Sequence, residues 1–204
     1  MLHTIKRFII LFTLIGLMIS CQKRHKTYHD NGKIKELFNT NKQGDKEGKF
    51  QQFYDSGQLL EVSNYSDGLL EGKRIFYYEN GQIEEIQNYI KGQLNGEQLG
   101  YHQNGKLKFK CYNESNKFVG EYFSYYDNGQ KRLYLNFVDD LENGPFEEYY
   151  STGVLKWKGT YRNGNKEYGL LEHFDEQGVL IKKMECDTMG ICTTVWKKMD
   201  IEDQ

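Results

Sequence analysis

Two interleaved series of glycines, both with a period of about 24 residues, dominate this sequence. Members of the first series follow one another at steps of 25, 24, 24, 24, 24 and 25 residues. Members of the second lie between them at steps of 24, with a last step of 25. Two series that share one period indicate a single structural unit repeated along the chain. The first series is Gly32, Gly57, Gly81, Gly105, Gly129, Gly153 and Gly178, and the second is Gly48, Gly72, Gly96, Gly120, Gly144 and Gly169.

Each period contains two short segments typical of β-strands, joined by a turn. In one unit, residues 73–78 are followed by Glu79-Asn80-Gly81 and then by residues 82–89. The dipeptide Asn-Gly, which occurs seven times in the chain, favours hairpin turns because both residues tolerate positive φ angles. The pattern therefore predicts one β-hairpin per period. A single hairpin cannot bury its apolar face alone, so neighbouring hairpins must stabilise one another.

The composition supports an all-β chain and excludes several classes of protein. The 204 residues include no alanine and one proline, against 21 glycines, 16 tyrosines and 12 phenylalanines. Alanine favours helices, whereas tyrosine and phenylalanine favour strands, so a helical bundle and a doubly wound α/β enzyme are excluded. The net charge of -2, with both signs among the 27% charged residues, argues against disorder and against a nucleic-acid partner.

Two rows of aromatic residues recur at fixed positions in the repeat. The fifth residue after each second-series glycine is aromatic, and the sixth usually is. Because adjacent residues on a strand face opposite sides, we expect the first row to pack in a core. The second row, if its face is open, would be a stripe that binds protein or glycan. The first row is Phe53, Tyr77, Tyr101, Tyr125, Tyr149 and Phe174, and the candidate stripe is Tyr54, Tyr78, His102, Tyr126 and Tyr150.

The N-terminus has the organisation of an export signal. Lys6 and Arg7 precede the uncharged run 8–19, which is too short for a span of about 20 residues and is typical of a signal peptide. The segment 18–21, Met-Ile-Ser-Cys, resembles a bacterial lipobox. The resemblance implies cleavage after residue 20, lipidation of Cys21 and anchoring to a membrane of the bacterial cell envelope. An ordinary signal peptide with an incidental cysteine is the alternative.

The repeated pattern Tyr-Tyr-x-Asn-Gly-x-Ile/Leu, followed by Gly-x-x-x-Gly, resembles the MORN repeat over about residues 28–182. It is most similar to the bacterial MORN-variant class, which includes the YwqK-like proteins. The resemblance implies an elongated, twisted, single-layer antiparallel sheet of about six to seven hairpins. We therefore expect a signal peptide at 1–20, a short tether at 21–27, the repeat domain at 28–185, and a C-terminal cap and tail at 186–204.

Three cysteines remain once Cys21 is set aside. Cys186 and Cys192 bracket a turn-like segment, and in an exported protein a disulfide between them would pin the C-terminal cap. Two reduced cysteines on a short loop are the alternative. Cys111 falls within an extended segment and is expected to be a small packing residue. No histidine pair has the spacing of zinc ligands, so no metal site is predicted.

The sequence contains no common catalytic or cofactor-binding motif, so neither enzymatic activity nor a cofactor is expected. The favoured hypothesis is a lipid-anchored envelope scaffold that binds another protein. The YwqK-like resemblance implies an antitoxin-like or immunity-type partner as its specific form. A protein that associates with phospholipid or glycan at the membrane surface, and an envelope enzyme, are the alternatives. Association of sheet edges into an oligomer is possible. The dense positive stretch that a lipid binder would use is Lys106, Lys108, Lys110, Lys131 and Arg132.

Overall fold

The computed structural model describes residues 23–199, which form one antiparallel sheet of eighteen strands. No helix occurs within this range, so the predicted all-β fold is confirmed. The first nine strands are β1 Lys23–Tyr28, β2 Ile34–Thr40, β3 Lys46–Phe53, β4 Leu59–Ser66, β5 Leu69–Leu70, β6 Gly72–Tyr77, β7 Ile83–Ile90, β8 Gln93–Leu94 and β9 Gly96–Tyr101. The remaining strands are β10 Leu107–Glu114, β11 Lys117–Tyr125, β12 Lys131–Val138, β13 Leu141–Glu142, β14 Gly144–Tyr149, β15 Leu155–Tyr161, β16 Gly169–Phe174, β17 Leu180–Cys186 and β18 Cys192–Lys197.

The strands pair in chain order, so the sheet is a meander of successive hairpins. The two-residue strands β5, β8 and β13 pair with the same preceding strand as β6, β9 and β14 do. Each short strand therefore extends the strand that follows it. Among the described residues β1 pairs only with β2, and β18 only with β17. These two strands are the edges of an open sheet.

The first strand begins earlier than the sequence pattern indicated. All of β1, from Lys23 to Tyr28, pairs with β2. The segment 21–27, expected to be a tether, therefore overlaps a strand from Lys23 onward. Its basic residues gave no apolar signal, because β1 is an edge strand whose side chains are mostly exposed.

A β-bulge recurs at the same position in the hairpin of each of seven repeats. In β6 and β7, Phe76 pairs with Glu85 and Tyr77 pairs with Ile83, which leaves Glu84 without a partner. Bulges bend a strand and increase its right-handed twist. One bulge per repeat therefore coils the sheet in equal increments along its length. The unpaired residues are Lys35, Leu60, Glu84, Lys108, Arg132, Lys156 and Ile181.

The buried side chains share one face of the sheet, here called the inner face. Its central row starts with the second residue after each second-series glycine, such as Phe50 and Phe146, which are 4% and 6% exposed. The aromatic row from Phe53 to Phe174, expected to be the core, is half-buried on the opposite, outer face. The reason is that Phe53 follows Phe50 by three residues in β3, and side chains an odd number of residues apart on a strand lie on opposite faces.

Close packing over glycine contributes to this burial. A Cβ atom on Gly100 would lie 2.1 Å from Cε1 of Phe109, and one on Gly159 would lie 2.3 Å from Cδ2 of Leu171. The large side chains therefore lie flat across strands that carry no side chain at the point of contact. A single layer of sheet can bury residues in this way without a second layer above them.

Candidate protein-binding site

The predicted aromatic stripe lies along the edge formed by the Asn-Gly turns. Its members are half-buried, and each places a polar atom against a backbone carbonyl of the next repeat. The Tyr78 hydroxyl, for example, donates to the carbonyl oxygen of Tyr101 at 2.7 Å. The matching bonds are Tyr54 to Tyr77 at 2.8 Å, His102 to Tyr125 at 3.0 Å, Tyr126 to Tyr149 at 2.8 Å and Tyr150 to Phe174 at 3.0 Å.

This regular series of bonds, here called the turn ladder, joins consecutive hairpins. His29, which precedes the stripe by one repeat, bonds the carbonyl of Phe53 at 2.9 Å in the same way. Because the acceptor is a carbonyl, Nε2 of His29 and of His102 carries the proton in this arrangement. The polar groups of the stripe thus stabilise contacts within the protein, and only the exposed parts of their rings are open to a partner. Binding by the stripe stays a prediction.

The turn asparagines add a second set of bonds in the same direction. Nδ2 of Asn104 donates to the carbonyl of Asp127 at 2.8 Å, and Nδ2 of Asn128 donates to that of Ser151 at 2.7 Å. The other amide atom, Oδ1, accepts from the backbone of the residue two positions on, as at Lys106, at 3.0 Å. Each Asn therefore fixes its own turn and attaches it to the next one.

The C-terminal half of the inner face carries a depression lined by aromatic and aliphatic side chains and by two carboxylates. Its core is formed by Leu135, Phe146, Leu171 and Cys186, all of which are buried. Half-buried aromatic and apolar side chains surround these residues and remain partly open on the same face. The depression is lined by Phe146, Glu148, Trp157, Tyr161, Glu167, Leu171, Met184 and Cys192.

Ring stacking holds the aromatic lining in place. The rings of Phe146 and Tyr161 lie 4.4 Å apart at an interplanar angle of 24°. Trp157 and His173, which face each other across β15 and β16, lie 3.9 Å apart and almost parallel. Stacked rings lose little conformational freedom on binding, so this surface is preorganised for contact with apolar side chains.

Carboxylates border the depression and set its electrostatics. Glu148 accepts a hydrogen bond from Nζ of Lys156 at 2.8 Å, and this bond raises the pKa of Lys156. Burial first, and then the charge of Glu167, raise the pKa of Tyr161. Burial also lowers the pKa of His173, with help from nearby lysines. The imidazole against Trp157 is therefore neutral near pH 7, and the site presents apolar rings beside negative charge.

The predicted stripe approaches this depression at one end. Nζ of Lys156, which binds Glu148, lies 5.8 Å from the ring centre of Tyr150. The pKa of Lys156, raised mainly by its hydrogen bond to Glu148, is also raised to a smaller extent by the nearby Tyr126. These two tyrosines lie on the same side of the sheet as Trp157. The other stripe members, Tyr54, Tyr78 and His102, belong to the repeats whose inner face is polar.

In that polar half the inner-face row is a chain of hydrogen bonds. Oε1 of Glu85 accepts from Gln87 and from Gln98, both at 2.6 Å. Oε1 of Gln98 then accepts from Asn113 at 2.9 Å. Asn113 is 1% exposed, and no buried side-chain nitrogen or oxygen within residues 23–199 lacks a partner. This chain serves fold specificity, because its groups bind one another and leave none directed at a ligand.

The outer face carries cross-strand charge pairs in addition to its row of half-buried aromatic residues. Opposite charges face each other across strands, as in Lys110 with Glu97 at 2.7 Å and Lys158 with Glu172 at 2.7 Å. The hydrogen bond from Lys158 lowers the pKa of Glu172. Of the dense positive stretch named above, Lys110 and Lys131 are paired with glutamates. Nζ of Lys106 donates to a backbone carbonyl.

The cysteines have distinct environments. Cys186 and Cys192 form a disulfide that links β17 to β18. Cys111 is free and buried, and burial raises its pKa to about 11. The thiolate form is therefore scarce near neutral pH, which makes Cys111 unsuited to nucleophilic chemistry. Cys21, the predicted lipidation site, lies outside the described residues.

No group of three or more His, Cys, Asp or Glu side chains between residues 23 and 199 is arranged to hold a metal ion. In the same range no helix is long and apolar enough to cross a bilayer.

Comparison with protein families identifies the repeat. The sequence profile of the MORN repeat variant matches six successive segments, 23–42, 46–67, 70–91, 94–113, 118–139 and 142–163. These segments together cover more than half of the chain. The protein therefore belongs to the MORN repeat variant family, and its predicted membership is confirmed. Each matched segment coincides with one strand pair of the meander.

Other comparisons add little. No curated protein matches this chain. Among solved structures, the chain is similar to a porin-like protein from Bacteroides uniformis ATCC 8492, with 9% identity, a TM-score of 0.21, and coverage of 85% of this chain and 87% of that one. It is also similar to a chain of a TcdB2-TccC3-Cdc42 structure, with 10% identity, a TM-score of 0.20, and coverage of 89% and 15%. Neither superposition is close enough to inform function.

The sequence analysis missed this depression, although a signal was present. The fourth residue after each first-series glycine lies on the inner face and changes along the chain. It is Glu36, Glu61, Glu85, Phe109, Leu133, Trp157 and Lys182 in successive repeats. The change from acidic to apolar residues marks where the open apolar surface begins. This fourth position varies in residue type and therefore gives a weaker pattern than the recurring aromatic positions.

Proposed function

We propose that this MORN-type repeat scaffold is a lipid-anchored, non-catalytic protein of the bacterial cell envelope that binds another protein. The observation that carries the proposal is the depression around Trp157 on the inner face. Its rings are stacked and partly exposed, and no other element within residues 23–199 covers them. A surface of this kind, rimmed by charged residues, is typical of a protein contact.

The chemistry of the depression indicates the character of the partner. Apolar contacts to Trp157 and Met184 would supply most of the affinity, because buried aromatic anchors dominate protein interfaces. Glu167 at the rim would favour a basic side chain on the partner. Tyr126 and Tyr150, from the predicted stripe, would extend the contact toward the turn ladder. An antitoxin-like or immunity-type role is the specific form of this proposal.

Lipid anchoring would determine where the depression lies relative to the membrane. Cys21 precedes β1 by two residues in the sequence, and β1 is at the opposite end of the sheet from the depression. A lipidated Cys21 would hold the first hairpin at the membrane and leave the last hairpins away from it. Stable anchoring requires more than one acyl chain, which is what a bacterial lipoprotein cysteine carries.

Site-specific photo-crosslinking in intact cells tests the binding function. Benzoylphenylalanine in place of Glu167 probes the rim of the depression, and the same residue in place of the exposed outer-face Lys73 is the control. We expect one protein adduct at position 167, lost in a Trp157→Leu background, and none at position 73. Identical adducts at both positions, or none at either while the chain binds liposomes, would refute protein binding at this site.

The anchor is tested separately. Cys21→Ser should release the chain from the membrane fraction and abolish incorporation of radiolabelled palmitate. Retention of both properties in this variant would show that Cys21 is not the lipidation site. The outcome does not depend on the partner experiment.

A further inference from the structure

The last strand, β18, has a single residue that is not exposed. Cys192 is half-buried, whereas the other residues of β18 are exposed along its whole length. In the described part of the chain β18 pairs with β17 alone. A register shift after Lys183 interrupts this ladder and leaves Val195 without a partner. Strand pairing and side-chain packing therefore hold β18 less firmly than they hold a strand between two neighbours.

Cys192 is bound covalently to the centre of the buried cluster. Its disulfide partner, Cys186 in β17, is 3% exposed and packs with Leu135, Phe146 and Leu171. The two cysteines occupy directly paired positions of β17 and β18, so the bond also fixes the register of the edge strand. The disulfide is thus the strongest link between β18 and the rest of the sheet.

The same disulfide forms part of the wall of the depression. Cys192 lines the depression together with Met184, and both side chains pack against the buried cluster. Detachment of β18 would remove Cys192 from this wall and uncover the side of β17 that β18 now occupies. The shape of the depression therefore depends on whether β18 is docked.

The sulfur of Cys192 is the one that a reductant can approach. Cys192 is half-buried and borders the open depression, whereas Cys186 is buried. A thiolate of a dithiol would attack Sγ of Cys192, and the sulfur of Cys186 would leave and take a proton. The second thiol of the reductant then displaces Cys192 from the mixed disulfide. Two cysteine thiols form, and the dithiol is oxidised to its disulfide by the same two electrons.

We propose that the Cys186–Cys192 disulfide is a redox switch that controls the depression. In the oxidised state it holds β18 on the sheet and completes the wall, and reduction by a dithiol releases β18 and opens the wall. Because each repeat is stabilised by its nearest neighbours, release of the last strand leaves the other hairpins folded. The inference rests on the proposed function, since a bound protein would respond to the disulfide through the depression. In an oxidising envelope the disulfide is the resting state.

Hydrogen exchange of the full chain in detergent, with dithiothreitol as the dithiol, tests the release of β18. After reduction we expect Cys186 and Cys192 to react with iodoacetamide, and the backbone amides of residues 193–197 to exchange about tenfold faster or more. Amides of the hairpin formed by β6 and β7 should not change, and oxidised glutathione should restore slow exchange in β18. Cys186→Ala/Cys192→Ala is the control, because its β18 should exchange fast with or without dithiothreitol.

Three results of this experiment would overturn the proposal. They are failure of dithiothreitol to reduce the bond in the folded chain, unchanged exchange of β18 after reduction, and faster exchange throughout the sheet. The first would show an inaccessible bond, and the others a bond with no switching role.

Photo-crosslinking at position 167 tests the effect on binding. The yield of the adduct should fall in the Cys186→Ala/Cys192→Ala variant relative to the oxidised wild type. An equal yield in a variant whose β18 is released would overturn redox control and leave protein binding in place. Absence of an adduct in the oxidised wild type would instead refute the proposed function, and with it redox control of binding.

Discussion

The guanidinium of Arg74 donates two hydrogen bonds to the carboxylate of Glu61, from Nε to Oε1 at 2.9 Å and from Nη2 to Oε2 at 2.8 Å. The bonds join β6 to β4 across the boundary between two repeats. The side chain of Glu61 is 3% exposed and that of Arg74 is 28% exposed. The hydroxyl of Ser63 also donates to Oε1 of Glu61, at 2.9 Å. A buried carboxylate is thus fully satisfied by groups of two hairpins.

Arg74→Met should destabilise the fold strongly, because it leaves Glu61 buried without its counter-charge. We expect a loss of about 3 kcal/mol in the free energy of unfolding, measured by urea denaturation. Glu61→Gln combined with Arg74→Met should recover most of that loss, because no buried charge remains and the amide oxygen still accepts from Ser63. Lys110→Met, which breaks the exposed pair with Glu97, is the control and should cost less than about 1 kcal/mol. Equal losses in the two single variants would contradict this account.

The turn ladder predicts a graded effect of removing hydroxyl groups. Tyr78→Phe deletes the bond to the carbonyl of Tyr101 and leaves the ring in place, so it should reduce the free energy of unfolding by about 1 kcal/mol. Tyr126→Phe should do the same, and the two losses should add because the bonds are separate. Tyr112→Phe, at an exposed tyrosine outside the ladder, should change stability little. The idea fails if the ladder variants behave like Tyr112→Phe in urea titrations.

A single methyl group added at Gly100 is expected to clash severely with the ring of Phe109. Gly100→Ala would bring Cβ to 2.1 Å from the ring of Phe109, and the ring has to move, at a cost of about 2 kcal/mol. Gly100→Ala combined with Phe109→Leu should be less destabilised than the sum of the two single changes. Ser124 occupies the equivalent position of the next repeat, so Ser124→Ala is the matched control. Additive thermal shifts in the double variant would show that Gly100 and Phe109 do not interact.

Cys111 predicts a loss of stability at alkaline pH. Burial raises its pKa to about 11 from an ordinary value of 9.0, so the folded state favours the neutral thiol. The stability that follows from this shift is present below pH 9 and is lost as the pH rises from 9 toward 11. The difference in unfolding free energy between the wild type and Cys111→Val should therefore change with pH only in that interval. In the native protein at pH 8, iodoacetamide should leave Cys111 unmodified, and rapid alkylation would contradict its buried position.

The fold was predictable because the turn glycines recur at a regular spacing, which does not depend on the other residues of each repeat. Glycines such as Gly81 and Gly105 recur at one spacing, and the same hairpin must form at each of them. The bulge was not predictable from that signal. The unpaired residue is Glu84 in one repeat and Leu60 in another, so no side-chain type marks it.

The candidate site was less predictable, for a related reason. The recurring tyrosines, Tyr78 among them, proved to hold neighbouring hairpins together, which is why they recur. A binding surface that distinguishes one partner must differ from repeat to repeat, as Trp157 does from Glu61 at the same repeat position. In a chain of this type, regular positions report on architecture and irregular ones indicate where specificity can arise.

The identical bulge in each hairpin makes the repeats interchangeable in length as well as in shape. Every repeat adds two strands at roughly 4.8 Å each, so one more or one fewer hairpin moves β18 by about 10 Å relative to β1 along the sheet. Reach can therefore be altered in whole steps while both ends of the molecule stay the same. If β1 is held at a membrane, the number of hairpins determines how far from the lipid β18 can lie.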